Sequence, residues 1–83
     1  MNPEKAFGIT LKKYRSMVAL SQEELALQSN LDRTYISLLE RGLRRPTLNT
    51  IIVISKCLNK KPSELVQEVE TLLNEHHTSE DPD

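Results

Sequence analysis

The 83-residue chain has little cysteine and little glycine, and it has no long apolar run. Its one cysteine, Cys57, excludes an internal disulfide and stands in an apolar segment, where we expect it to pack as a small hydrophobic residue. No stretch approaches the roughly 18 apolar residues of a membrane span. The first five residues lack the layout of a signal peptide. The sequence therefore predicts a small soluble protein of the cytoplasm.

The chain also lacks the residue patterns that catalysis or metal binding would need. With only Gly8 and Gly42, the chain has no glycine-rich phosphate loop. No nucleophile, general base and orienting group stand in a recognisable spacing. The adjacent pair His76–His77 places its rings on different helix faces, and only Cys57 and scattered carboxylates remain as further ligands. We expect no catalytic residue, no metal, no cofactor and no small-molecule ligand.

The charges are divided unequally along the chain, although its net charge is only −1. Residues 1–61 hold all eleven Lys and Arg and five acids, a local charge of +6, whereas residues 62–83 hold seven acids and no Lys or Arg. Attraction to phosphate depends on the local field rather than on the whole-chain charge. The division is typical of a basic body that meets nucleic acid. The alternative is that these charges only solvate the surface.

Hydrophobic spacing predicts five helices and no strand, and thus an all-α fold. The helices are expected at about residues 6–18, 21–29, 32–41, 48–58 and 62–76. Ser21 and Glu24 have the spacing of a capping box, and Asp32 is a strong N-cap for the third helix, which Gly42 would end. Two short helices about three residues apart are typical of a helix-turn-helix.

The chain is expected to divide into one folded domain and a short tail. Residues 1–76 would form the domain, which would serve both DNA binding and dimerisation. Residues 77–83 are polar and acidic, so the sequence predicts disorder there.

The sequence in and around the two short helices resembles that of a known family. The stretches are Leu20–Ala26, Asn30–Gly42, Arg45–Leu48 and Pro62–Leu65. Together they resemble the XRE family of phage-repressor and Cro-type helix-turn-helix regulators, with controller proteins of restriction–modification systems as the most similar group. The chain departs from the family pattern at Ala19, where many members have glycine, and at Lys61, where Ser or Asp is frequent.

This resemblance implies a five-helix, lambda-repressor-like domain that regulates transcription. Its helix of residues 32–41 would lie in the major groove of double-stranded operator DNA, and a homodimer would read two half-sites of a palindrome. The family pattern also implies a partly buried ion pair between Arg15 and Glu40, which would hold the first and third helices in register.

The first turns of the third helix carry the expected base contacts. Arg33 has the reach and the fork to bind guanine O6 and N7 together, and Thr34 offers a hydroxyl to a base or a methyl group to thymine. Ser37 lies one turn later on the same face. Leu38 would contact a thymine methyl group or simply be exposed. The alternative for Arg33 is an ion pair with a nearby acid.

A second set of residues is expected to contact phosphates without reading sequence. Gln22 stands at the positive N-terminal end of the second helix, and Arg44 and Arg45 follow the third helix in a loop. The remaining candidates for backbone contact are Tyr35, Thr47 and Asn49. The alternatives are a solvated loop for the arginines and a ring packed on the first helix for Tyr35.

Helices four and five carry more apolar surface than a domain of this size needs, which predicts a homodimer interface. Its candidates are Val53, Val66, Val69, Leu72 and Leu73. A second function remains open: an antitoxin would have the same DNA-binding domain, and its acidic C-terminal part would hold a basic toxin.

Overall fold

The structure of the protein, a computed structural model, describes residues 1–75. These residues form five helices and no strand, which confirms the expected all-α fold. The helices are α1 (Pro3–Met17), α2 (Gln22–Ser29), α3 (Arg33–Glu40), α4 (Leu48–Cys57) and α5 (Pro62–Glu75). The pair His76–His77 and the predicted acidic tail, residues 77–83, lie outside the described residues. None of the five helices is long and apolar enough to cross a bilayer.

The start of α1 lies one turn before the position expected from hydrophobic spacing. The Asn2 side chain accepts a hydrogen bond of 2.8 Å from the N–H of Lys5, and Pro3 occupies the first helical position. An Asn cap followed by Pro is a recognised start signal, because the Pro side chain fixes a helical φ where no N–H is needed. The expected start at Ala6 was wrong because no apolar residue marks this first turn.

The core lies where all five helices converge. Each helix or its end contributes at least one residue to it: Phe7, Leu11, Leu25, Ala26, Ile36, Leu39, Ile54, Leu58 and Leu65. A fully buried Leu or Ile stabilises the fold by roughly 1.5–3 kcal/mol. Cys57 packs against this core and is half-buried, and burial raises the pKa of its thiol. Its expected role as a small packing residue agrees with these facts.

Helices α1 to α4 end in the same way. The residue after each helix, or one residue later, has a left-handed φ, and the following N–H donates to the carbonyl five residues back. The left-handed residues are Ala19 (φ 59°), Asn30 (57°), Gly42 (74°) and Asn59 (57°). The hydrogen bonds, 2.9–3.1 Å long, run from Leu20 to Arg15, Leu31 to Ala26, Leu43 to Leu38 and Lys60 to Ser55. Gly and Asn tolerate this backbone, whereas it costs alanine roughly 1–2 kcal/mol.

Gly8 lets α1 approach the end of α3 closely. A Cβ atom at this position would lie 2.5 Å from the carbonyl oxygens of both Leu39 and Glu40. Those oxygens belong to backbone, which cannot rotate away as a side-chain end would. The absence of a side chain at residue 8 therefore sets the distance between α1 and the last turn of α3.

Replacing Ala19 with glycine is expected to stabilise the protein. The change Ala19→Gly removes the strain of the left-handed backbone, which stabilises the folded state. Glycine also has more entropy in the unfolded chain, which offsets part of this effect. The expected net gain in the free energy of unfolding is about 0.5–1 kcal/mol. Denaturant titration measures it. The matched control is Ala26→Gly in α2, which has ordinary helical backbone and should lose about 1 kcal/mol or more. A loss of stability in Ala19→Gly would contradict the strain at this turn.

The opposite substitution at Gly8 is expected to destabilise the protein. In a helix, alanine is more favourable than glycine by about 1 kcal/mol. In Gly8→Ala, however, the new methyl group must push α1 away from α3, so the net loss in the free energy of unfolding is about 1–3 kcal/mol. The exposed Ser16→Ala on the same helix serves as control and should change the free energy of unfolding by under about 0.5 kcal/mol. If Gly8→Ala were as stable as the wild type, the close helix approach would be wrong.

Candidate nucleic-acid interface

Helices α2 and α3 form the expected helix-turn-helix. Three residues, 30–32, join them, and Asn30 supplies the left-handed turn. The capping box at the start of α2 is confirmed: the N–H of Glu24 donates to Ser21 Oγ at 3.0 Å, and the N–H of Ser21 donates to Glu24 Oε1 at 2.8 Å. The bond from the Ser21 backbone holds the pKa of the Glu24 carboxyl below its usual value. The second helix thus begins at a fixed residue.

Asp32 stands at the N-cap of α3, but its side chain accepts no cap hydrogen bond. The expected N-cap position is confirmed, but the hydrogen bond expected of the side chain is not formed; the carboxylate lies beside the positive helix end. The N–H groups of the first turn of α3 have no carbonyl before them in the helix. They remain open to other acceptors.

The two faces of α3 differ sharply. Ile36 and Leu39 are completely buried, whereas Arg33 and Thr34 are exposed. Leu38 is half-buried. Among residues 1–75, Arg33 has no acidic partner, so the alternative of an ion pair is not what the structure shows.

Four of the residues selected from the sequence lie together. Arg33, Thr34 and Ser37 of α3 and Gln22 of α2 line one shallow concavity. Three of these are expected base contacts and the fourth is an expected phosphate contact. The concavity combines a guanidinium, two hydroxyls and an amide, a set of groups that can hydrogen-bond base edges and phosphate oxygens.

The last residue of α3, Glu40, is tied to two other helices. Its carboxylate accepts from Arg15 Nε at 2.5 Å, from Arg15 Nη2 at 3.0 Å and from Gln22 Nε2 at 3.0 Å. Arg15 Nη1 donates to the carbonyl of Leu20 at 2.7 Å. The side chains of Arg15 and Glu40 are only 13% and 4% exposed, so the charges are shielded from water. The hydrogen bond to Glu40 raises the pKa of Arg15, and burial opposes this effect.

These contacts, which we call the Glu40 network, hold the helix-turn-helix against α1. The network comprises Arg15, Leu20, Gln22 and Glu40. Gln22 donates to Glu40 through its amide nitrogen and also lines the concavity of α3. Removing one partner of such a pair strands the other charge and costs about 3–5 kcal/mol.

The residues expected to contact phosphates have different partners within the protein. Arg44 and Arg45 are exposed; Arg44 donates to the carbonyl of Leu43, and Arg45 is paired with Glu4. Tyr35 is half-buried and packs against the core, and its contact with a phosphate stays a prediction. Each arginine remains on the surface, beside the end of α3.

At the start of α4, the Thr47 hydroxyl is engaged within its own turn. It accepts from the N–H of Thr50 and donates to Thr50 Oγ1, each at 3.0 Å. The hydroxyl thus serves as the N-cap of α4, and its contact with a phosphate stays a prediction. The open donors at this turn are the backbone N–H groups of Leu48 and Asn49, as at any helix start.

The side chains of the expected dimer residues all remain accessible at least in part. Val66 is 49% exposed, and the other candidates, Val53, Val69, Leu72 and Leu73, are half-buried. Val66 and Val69 line an open apolar concavity together with Phe7 and Ile51. Apolar side chains that remain accessible side by side are typical of a partner surface.

Sequence reasoning missed two residues that shape this region. Gly8 sets the approach of α1 to α3, and a lone glycine inside a helical pattern is the signal that indicates such an approach. Glu4 pairs with Arg45, and no local pattern links residues so distant in the chain.

Comparison with known proteins identifies the family. The family model described as Helix-turn-helix (HTH_3) matches residues 11–65. Control protein C.SmaI of Serratia marcescens is 39% identical over 66 residues, which cover 80% of this chain and 79% of C.SmaI.

Two solved structures are similar in both fold and sequence. The restriction–modification controller protein C.AhdI of Aeromonas hydrophila is 40% identical, with a TM-score of 0.73 over 75% of this chain and 94% of C.AhdI. The tetramer of the controller protein C.Esp1396I in complex with its natural 35 base-pair operator is 34% identical, with a TM-score of 0.72 over 84% of this chain and 97% of that one.

These relatives are regulators, and they do not favour the antitoxin alternative. The matched region includes the capping box, the turn between α2 and α3, and the whole of α3. The chain belongs to the XRE-type helix-turn-helix family of DNA-binding transcription regulators, and controller proteins of restriction–modification systems are among its relatives.

Proposed function

We propose that this protein is a sequence-specific transcription regulator that binds palindromic operator DNA as a homodimer and serves as the controller of a restriction–modification system. One observation carries the proposal. The exposed face of α3 joins Gln22 in a single polar concavity, while the end of the same helix is fixed by the nearly buried Glu40 network. A rigid helix with an exposed polar first turn is what major-groove recognition requires.

In this proposal the first two turns of α3 read the bases. Arg33 binds a guanine through its two-pronged fork, and Thr34 contacts the neighbouring base. Ser37, on the same face one turn later, and Leu38 extend the contacts along the groove. The exposure of Arg33 and its lack of an acidic partner within residues 1–75 support this role.

Contacts to phosphates on either side of the groove would position the helix. Gln22 and the start of α2 bind one phosphate, and the loop with Arg44 and Arg45 binds another. The N–H groups of Leu48 and Asn49 offer a third position at the start of α4. Thr47 supports this position as its cap rather than as a direct donor.

The operator would be symmetric because the protein binds it as a pair. The accessible apolar residues of α4 and α5 supply a surface for the second copy, and a two-fold axis there would place two α3 helices on two half-sites. C.Esp1396I is a tetramer on its 35 base-pair operator, and we extend operator binding by assembled copies from that relative to this chain. The regulator works in the cytoplasm, where its DNA is, and by binding alone without catalysis.

Arg33→Ala is expected to abolish or relax recognition of the operator. Loss of one bidentate contact to guanine costs about 1–3 kcal/mol, so the affinity for each half-site should fall roughly 10- to 100-fold. The measurement is gel shift with footprinting on DNA upstream of the protein's own gene. The protected site should be palindromic in the wild type and lost or relaxed in the variant.

The control for lost charge is Lys56→Ala, an exposed residue at the far end of α4 from Thr47. It should keep the footprint, because it removes the same charge away from α3. Weak and salt-sensitive binding without a footprint, equal in wild type and Arg33→Ala, would contradict the proposed function.

A further inference from the structure

Three arginines stand at and after the end of α3, and one of them is held by an acid from another helix. Arg41, Arg44 and Arg45 are all exposed. Of these three arginines, only Arg45 has an acidic partner among residues 1–75: its Nε lies 2.7 Å from Oε2 of Glu4, in the first turn of α1. We infer that Glu4 competes with a DNA phosphate for Arg45 and thereby lowers the affinity of the protein for DNA. This inference rests on the proposed function.

The two partners are held very differently. The side chain of Glu4 is 22% exposed, whereas that of Arg45 is 88% exposed. The carboxylate belongs to the first turn of α1, where the positive helix end stabilises a negative charge. The guanidinium stands at the end of a long flexible side chain. Of the two groups, Arg45 is therefore the one that can change partner.

The first turn of α1 is placed beside the loop by the fold itself. Asn2 and Glu4 line one polar concavity with Gly42, Arg44 and Arg45. A Cβ atom at Gly42 would lie 3.0 Å from the Cα of Lys5, so the two backbones are in close contact there. Glu4 thus remains near Arg45 whether or not the guanidinium is bound to it.

A phosphate that binds Arg45 either displaces the Glu4 carboxylate or lies close to it. Exposed ion pairs are weak, so the existing pair can be broken at small cost. If the Glu4–Arg45 pair breaks, its favourable interaction is lost. If the pair persists, the phosphate lies near the negative charge of Glu4. Both outcomes weaken binding, and neither depends on base sequence. Glu4 is a residue that sets affinity, and Arg45 is the residue through which it acts.

The test is a double-mutant cycle on DNA affinity. Wild type, Glu4→Gln, Arg45→Ala and the double variant are titrated on the same upstream fragment at low salt. Glu4→Gln keeps the shape and removes the charge, so it should bind about two- to five-fold more tightly per protomer. In the Arg45→Ala background the same change should have no such effect. The gain in Glu4→Gln should shrink as salt rises.

The control for net charge is Glu70→Gln on α5, an exposed acid without an ion pair among residues 1–75. It alters the net charge equally and should change affinity less than Glu4→Gln does. Thermal unfolding of each variant shows that it is folded before titration.

The outcomes separate this inference from the proposed function. Specific binding by the wild type with equal or weaker binding by Glu4→Gln would overturn the competition and leave the proposed function standing. An equal gain in the Arg45→Ala background would also overturn it, because Glu4 would then act without Arg45. Absence of specific binding by the wild type would overturn the proposed function, and this inference with it.

Discussion

The carboxylate of Glu40 accepts hydrogen bonds from Arg15 and Gln22, and through them the last turn of α3 is tied to α1 and to the start of α2. A nearly buried charge needs such partners, since isolation from water without them costs several kcal/mol. The same bonds orient Gln22, which lines the polar concavity with Arg33. The geometry of the proposed DNA-binding face therefore depends on one carboxylate that has no need to contact DNA.

Backbone packing complements this network. Gly8 lets α1 approach the carbonyl groups of the last turn of α3, so the helix that supplies Arg15 lies close enough to reach Glu40. Short turns with left-handed residues end the first four helices at fixed positions. Residues beyond α3 are held less firmly: Arg44 and Arg45 are exposed, and the contact of Arg45 with Glu4 is at the surface. A fixed face of α3 beside adaptable arginines suits the proposed function, in which a regulator first binds DNA and then finds its site.

Features with local signals could be predicted from the sequence. Ser21 and Glu24 specify the start of α2 within four residues, and Gly42 marks the end of α3; both predictions are confirmed. The Arg15–Glu40 pair came from family resemblance, because no local pattern joins residues 25 positions apart. The Glu4–Arg45 pair has neither a local sequence pattern nor a counterpart in the family resemblance, so it was not predicted. Thr47 suits a cap and a phosphate contact equally well, so the sequence alone did not specify the hydrogen bond between the Thr47 and Thr50 hydroxyls.

The central claim is that the Glu40 network positions α3 for DNA, beyond stabilising the fold. The measurement is a comparison of Arg15→Met, Glu40→Leu and the double variant, with the free energy of unfolding and operator affinity determined for each. Single variants should lose about 3–5 kcal/mol of stability, and the double variant should regain most of it, because no charge is left buried alone. Its specific affinity should stay well below that of the wild type, because α3 and Gln22 have lost their shared acceptor. A double variant that is stable and binds the operator as tightly as the wild type would contradict the claim.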